Sequence, residues 1–547
     1  MTIIPGGFSR LATLLKEQKA VDPSHTVIVD AGDFLMGTVY HYGEEYRAFQ
    51  LPLMAEMGYE VVAIGNHEFD YGPARLGNII ENSRQAGPIP RLLLGNAIYS
   101  DENSEDDLLE KLASDGIIGR STVLERDGIK IGFFSLMGID ADDVAPYAPP
   151  VTFSKQKRAA RNLVKELEKE GCDIIICLSH SGVERNKKGD WAGEDARIAK
   201  KVKGLDAIIS GHTHTRLEEA VIVKGVPIVQ TGSYAMNLGR LELELVDGEA
   251  RFLAYKLIPV DDSILGDAEV QTKIDDQKEF ISAKLMEPLG YSLDSVAVES
   301  SFELVCDEYG GDLENSNLGP LVADAIYSYV NRNGEAGTDI SMVAAGVIRD
   351  RLVTGNLTVQ DIFRVMSLGS GKDSIPGYPL ATVYVTGREL KSVVEILLVA
   401  YKSSPSNFCF YSGIEVDFNP DKGLLRKVSQ IRIADRDGVY REIDLSKENT
   451  DLYSITANAY MLEFIGIIKK TTFGLVNVVP KSADGNEIAD IGTSIIDFNA
   501  ELPGVQEGKE WIALTEYLVG MPDRDNDGVP DINLFYEKPP LRVKPLN

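Results

Sequence analysis

The stretch VVAIGNHEFDYG, residues 61–72, decides how the first half of this chain is read. Val61 to Ile64 form an apolar run with the composition of a buried strand, and Gly65 ends it. Asn66, His67, Glu68 and Asp70 follow before Gly72. Side chains that bind metals and carry protons therefore crowd the end of an apolar strand.

The same pattern recurs outward from this point. Between residue 27 and about 257, short apolar runs alternate with helix-like segments: TVIVDAGD, YEVVAIGNHE, RLLLGNA, IKIGFFSLMG, CDIIICLSHSG, LDAIISGHTHT and GVPIVQTGS. The amphipathic stretch SKQKRAARNLVKELEKE predicts a helix capped by Ser154. Strands alternating with helices predict an α/β layered domain. LGRLELELVDGEARFLAYKLIPV predicts a hairpin turning at Asp247-Gly248.

The chain has 547 residues, which favours more than one domain, and 44% hydrophobic with 25% charged residues is the composition of a globular protein. A net charge of −29 disfavours nucleic acid polymers and anionic membranes as partners. An anionic small-molecule substrate then needs a local positive centre, such as a metal ion. No run approaches the roughly 18 apolar residues of a membrane span. The opening MTIIPGGFSRLATLLKE lacks the regions of a signal peptide. Cys172, Cys177, Cys306 and Cys409 form no CxxC pair and read as buried small hydrophobes.

Four predicted strands end in polar residues of one chemical type: Asp33, then Asn66 with His67, then His180, then His212 with His214. In an open α/β sheet the carboxyl ends of the strands share one crevice. The chain has six histidines, and those outside this pattern, His25 and His41, lie in polar loops. A carboxylate, a carboxamide oxygen and neutral imidazoles suit Zn, Mn, Fe or a similar divalent ion rather than Ca. Two such ions about 3.5–4 Å apart would clamp a phosphoryl group and activate water.

GGFSRLATLLKE, VDAGD, GNHEFDYG, LSHSG and GHTHT, in this order and spacing, resemble the calcineurin-like metallophosphoesterases. The match is to their two-domain 5′-nucleotidase and UDP-sugar hydrolase branch. The resemblance implies a four-layer α-β-β-α sandwich followed by a smaller α+β substrate-binding domain, and a small-molecule phosphoester substrate. It also implies that Asp33 bridges two ions, that Asn66, His180 and His212 complete one site, and that His214 belongs to the other. His67 would touch the phosphate or leaving group, with Asp70 orienting it; Glu68 is read as structural.

The family pattern opens with an Asp-x-His motif that this chain does not contain. Two expectations stay open: a chain lacking the start of a longer exported precursor, or a homologue that has lost its first metal site and binds without turnover. One ion rather than two is accordingly an expectation. The resemblance points to a periplasmic or extracellular location, and oligomeric state is not legible.

The domain boundaries read as 1–260 for the phosphoesterase domain, 261–295 for a polar helical linker, 296–520 for the second domain and 521–547 for an Asp/Pro-rich tail. NSNLGPLVADAI and VAAGVIRD resemble the family's second domain, in which aromatic rings stack a nucleobase and arginines hold phosphate. The resemblance nominates Arg349 for an anion and Phe408 or Tyr411, with Tyr460, for the rings. Two departures put nucleotide specificity in question: Ala344 replaces an asparagine, and YMLEFIGII stands where Gly-Gly-Asp is expected. In the tail, Asp523, Asp525, Asp527 and Asp531 around Gly528 have the shape of a calcium loop, but Leu534 stands where an EF-hand requires glutamate.

Overall fold

The computed structural model describes residues 5–186, 188–306, 313–373, 375–402, 405–423, 425–463, 478–539 and 541–546. The chain folds as two compact units, Met1–Met36 with Tyr40–Ala283 and Gly37–Val39 with Lys284–Asn547.

The first unit is built on two sheets. Ile28–Asp30, Tyr59–Ala63, Arg91–Leu93 and Ile118–Gly119 form a parallel sheet in that order. The second sheet runs Val221–Val223, Val226–Val229, Ala207–Ser210, Ile174–His180, Ile129–Met137, Ser121–Arg126, parallel in its middle and antiparallel at both edges. The central strand explains why its sequence is apolar without alternation. Ile174, Ile176 and Leu178 pack toward the first sheet, against Val61, Ala63 and Leu93. Ile175 and Cys177 face the other way, onto Leu163, Leu167 and Ile198 of the helices Gln156–Lys169 and Glu194–Lys201. A strand covered on both faces reads as a continuous apolar run, here Ile174 to Leu178 before the polar Ser179 and His180. Leu11, Leu15, Leu53 and Met57, from the helices Phe8–Val21 and Gln50–Met57, cluster with Ile28 of the first sheet. Helix, sheet, sheet, helix is the four-layer sandwich expected, and burying each Leu or Ile in it is worth roughly 1.5–3 kcal/mol.

The hairpin Asn237–Val246 with Glu249–Pro259 turns at Asp247 (φ 55°) and Gly248 (φ 80°). Two successive left-handed residues are the two-residue turn that matches strand twist, so Asp-Gly is chosen for its backbone. The cap expected at Ser154 is not one: Lys155 caps the helix without a side-chain bond. Ser154 is instead held by Asn96, its N–H donating to the Asn96 carbonyl (2.8 Å) and its own carbonyl accepting from Asn96 Nδ2 (3.0 Å). His41, read as a loop residue, is buried at 5% exposure. Cys177 and Cys409 are buried as expected, whereas Cys172 and Cys306 are half-buried. Within 261–295, the helix Ala268–Ile281 is capped by Asp267 and packs Val270 into the first unit's core.

The second unit mixes helices with two four-stranded sheets. Leu380–Thr386, Leu452–Asn458, Ile340–Ala344 and Cys409–Ser412 form one sheet; Tyr440–Glu442, Val428–Ala434, Ile414–Phe418 and Val543–Pro545 form the other. Segment 521–547 thus supplies a strand to this unit. It is also tied to the helix Leu318–Asn333 through Asp324, which accepts from Tyr536 Oη (2.9 Å) and pairs with Arg542 (2.7 Å). Among the described residues, no helix is long and apolar enough to cross a membrane.

Glu510, at the start of the helix Glu510–Val519, is buried; Asn458 Nδ2 donates to one of its oxygens (3.0 Å) and the other has no partner. Burial pushes its carboxyl up to about 8. From the ordinary value of 4.5 to about 8, the folded chain holds a proton that the unfolded chain has released, so this group lowers stability as pH rises through that window. Glu510→Gln should flatten the fall. Thermal melts of both proteins across the window check it, and parallel curves would mean that Glu510 is ionised in the fold.

Candidate metal centre

At the end of the strand Tyr59–Ala63, the chain turns at Gly65 into a short 3-10 helix, His67–Tyr71. At the end of the neighbouring strand Ile28–Asp30 it turns at Gly32. The two turns touch. A Cβ on Gly32 would fall 2.7 Å from Gly65 N and 2.9 Å from His180 Nδ1, and one on Gly65 would run into the Asp33 carboxylate. Glu68 binds the turns together: its buried carboxylate accepts the N–H groups of Gly65 (2.6 Å), Asp33 (3.0 Å) and Leu35 (2.9 Å). The structural reading of Glu68 now has a mechanism, and burial raises its carboxyl to about 7, with Asp33 adding to the shift.

Around these turns the structure brings four predicted ligands together. His180 Nε2 lies 3.0 Å from Asn66 Oδ1 and 3.0 Å from Asp33 Oδ2, and His212 Nδ1 lies 3.1 Å from the same Asn66 oxygen. One proton can be assigned. His180 Nδ1 faces the carbonyl of Ala31 (2.8 Å), which accepts its N–H, so in the neutral ring Nε2 carries a lone pair. His212 Nε2 faces Asp140 Oδ2 (3.2 Å) and its Nδ1 faces Asn66 Oδ1. Two ring nitrogens, an amide oxygen and a carboxylate oxygen are thus joined by a chain of contacts of 3.0–3.1 Å, Asn66 Oδ1 to both rings and His180 Nε2 to Asp33. The Asn66 amide points its oxygen inward while its own nitrogen is buried without a partner. The donor set suits a divalent transition metal.

Burial works against charge on Asp33, yet the His180 and His67 rings hold its carboxyl well below the ordinary value. His180 is the counterpart: burial lowers it, but the Asp33 carboxylate outweighs burial and raises the ring to about 9. A proton thus takes the position between them when no stronger cation does. Burial lowers His212 from its usual value, against the pull of Asp140.

His67 donates its backbone N–H to the other oxygen of Asp33 (3.0 Å), and its Nδ1 lies 2.8 Å from Asp70 Oδ2, a pair of which little is exposed. His214, the fifth predicted ligand, has its ring centroid 6.5 Å from that of Tyr234. Among the described residues, the one group of His, Cys, Asp and Glu ligand atoms all within 4.8 Å of each other is Asp523, Asp525 and Asp531 in the tail; Asp527 stands outside it. Asp523 already accepts N–H groups of Asn526 and Gly528, and Asp531 that of Arg524.

Sequence reasoning missed the residues beneath the centre. Asp195, fully buried, accepts from Ser179 Oγ (2.6 Å) and Ser210 Oγ (2.5 Å), the residues immediately before His180 and Gly211-His212. Gln230 Nε2 donates to Ser210 Oγ (2.7 Å). Two adjacent acids, Glu194 and Asp195, look in sequence like ordinary helix-start residues favoured by the dipole, and nothing in their spacing marks them.

In the second unit, Phe408 and Tyr460 lie on either side of one turn. Ala345 N–H donates to the Phe408 carbonyl (2.7 Å), and Ala344 N–H faces the sulfur of Met461 (3.2 Å), next to Tyr460. Arg349 follows the same turn, its Nη1 bonded to Gly346 O (3.1 Å). Phe408 packs edge-on to Tyr401 and Phe410, Tyr460 stacks on Tyr378 at 5.0 Å, and Tyr411 is buried in its strand. Residues 464–468 of YMLEFIGII lie outside the described residues.

Comparison with known proteins matches this picture. Residues 4–216 match the family model for calcineurin-like phosphoesterase, and residues 300–466 match that for the 5′-nucleotidase C-terminal domain. The trifunctional nucleotide phosphoesterase protein YfkN of Bacillus subtilis is 26% identical over 483 residues, 83% of this chain but only 30% of that protein. A 5′-nucleotidase of Diplobatis ommata is 25% identical over 485 residues, 84% of this chain and 77% of its own length. The crystal structure of a 5′-nucleotidase precursor from Thermus thermophilus shares the fold, with a TM-score of 0.70 at 21% identity over 99% of this chain and 94% of that one. Calcineurin-like phosphoesterases are phosphoester hydrolases that generally use divalent metals. Carrying both domains in order along one chain, on the fold of these relatives, the protein belongs to the two-domain 5′-nucleotidase family of calcineurin-like phosphoesterases.

Proposed function

We propose that this chain hydrolyses phosphomonoesters of the 5′-nucleotide type or close relatives, using a divalent cation held by Asp33, Asn66, His180 and His212. The observation that carries the reading is the chain of short contacts that joins Asp33, His180, Asn66 and His212, a donor set suited to a divalent transition metal. A divalent cation bound there would supply Lewis acidity toward a phosphoryl oxygen and toward water. Asp33 and His214 are the residues offered to a second ion.

The chain's own side chains do the rest. Asp33 holds one oxygen toward the cation position and with the other accepts the His67 N–H, so one carboxylate sets the place of both. Asp70 accepts the Nδ1 proton of His67, which fixes the ring and leaves Nε2 as the working nitrogen. A protonated His67 then stabilises charge growing on a phosphoryl oxygen, or gives its proton to the departing alkoxide. Arg349, Phe408 and Tyr460, bordering one turn of the second unit, are the residues proposed for phosphate and base recognition.

Protein loaded with Mn or Zn should hydrolyse an aryl phosphate and nucleoside 5′-monophosphates, and a strong chelator should stop it. His67→Ala should cut turnover by about 10²-fold or more with bound metal unchanged by elemental analysis, whereas Asn66→Ala should lose metal as well. Full metal loading without turnover on any of these esters would replace this reading with that of a binding protein.

A separate outcome is expected for Glu68→Ala. It strips three turn N–H groups of their acceptor, at about 1–3 kcal/mol each if they stay buried, so denaturant unfolding should show a loss of several kcal/mol. A change within about 0.5 kcal/mol, the range of an ordinary surface substitution, would contradict the role assigned to Glu68.

A further inference from the structure

The short helical turn Ile139–Asp143 carries a carboxylate that the reaction outlined above does not use. Asp140 Oδ2 lies 3.2 Å from Nε2 of His212, while Nδ1 of the same ring lies 3.1 Å from Asn66 Oδ1. A neutral imidazole holds one proton, on either nitrogen. With the proton on Nε2 the ring donates to Asp140 and turns a lone pair toward the cation position. With the proton on Nδ1 it donates to Asn66 instead, and His212 is closed to a metal. Which tautomer prevails therefore decides whether His212 can ligate.

The turn that bears Asp140 is itself anchored to the centre. Glu194, buried, accepts the N–H groups of Ile139 (2.9 Å) and Asp140 (3.3 Å). Gly138 donates its N–H to the carbonyl of His180 (2.9 Å), and a Cβ on Gly138 would fall 2.9 Å from Ser181 Cα. Glu194 adjoins Asp195, which holds the two strand ends through Ser179 and Ser210. One helix start thus places His212 through its strand and places the carboxylate that reads the far side of its ring.

We propose that Asp140 is a positioning residue that selects the Nε2–H tautomer of His212 and so readies Nδ1 to bind a cation. The inference rests on the metal-centre reading, and it assigns Asp140 no contact with substrate. A carboxylate behind a metal-binding histidine fixes ring and tautomer, and its loss commonly costs 10–100-fold in metal affinity. Asp140 is 73% exposed, so water competes for the bond and the lower end of that range applies.

The test uses the full chain stripped of metal, with two readouts. Proton–nitrogen correlation spectra of the histidine rings should show His212 as the Nε2–H tautomer in the parent and as a mixture in Asp140→Ala. Titration with Zn or Mn against a competing chelator should show about 10-fold weaker binding for Asp140→Ala, and a smaller loss for Asp140→Asn, which keeps an acceptor oxygen. Metal-free melting temperatures should coincide, as befits an exposed residue; if the alanine variant does not fold, the asparagine variant answers through the same spectra. An unchanged tautomer and unchanged affinity in Asp140→Ala overturn the proposal. A parent protein that takes up no metal overturns the metal-centre reading instead, and the ring spectra then decide the role of Asp140 alone.

Discussion

The buried carboxylate of Glu68 is the constraint on which the centre depends. Two neighbouring parallel strands end, and their chains turn away where sheet hydrogen bonding has stopped. The N–H groups of Gly65, Asp33 and Leu35 would be orphaned there, and one side chain takes all three. An unmet buried N–H costs more than a satisfied one gains, so the carboxylate specifies a single arrangement of both turns. Asp33 and Asn66 inherit their positions from it, and His67 inherits its own from Asp33.

Several residues at and after the strand ends are held in unfavourable backbone. Asp33, His212 and His214 have φ of 63°, 71° and 52°, and Tyr234 and Ala235 have 56° and 51°. A left-handed residue with a Cβ costs about 1–2 kcal/mol, and such costs persist only where the surroundings over-determine the conformation. Here the surroundings are the two-sheet core under the strand ends, together with the Ser179–Asp195–Ser210 bonds that tie adjacent strands. Rigidity from packing is what lets strand ends carry strained residues in apposition.

Much of this was legible in the chain itself. Apolar runs ending in Asp33, Asn66, His180 and His212 mark strands whose ends carry candidate ligands, because few other uses put such groups beside glycines. The Asp247-Gly248 hairpin was equally plain, since its turn demands left-handed residues. What misled was local pattern without context. Ser154 precedes an amphipathic helix and looks like its cap, yet Asn96 claims it from a distant segment. His41 stands among polar residues and is nonetheless buried. Asp195 and Asp140 carry no signature, because their partners lie 15 or more residues away along the chain.

The sequence alone determined the alternation of strands and helices, the residue types at the strand ends and hence the class of ion they suit, because periodicity and ligand chemistry are properties of residues taken in order. Only the tertiary structure decided which of those residues come within contact of one another and which buried acids hold them. Those are set by distances of about 3 Å between segments far apart in the chain, and no spacing in the sequence encodes them.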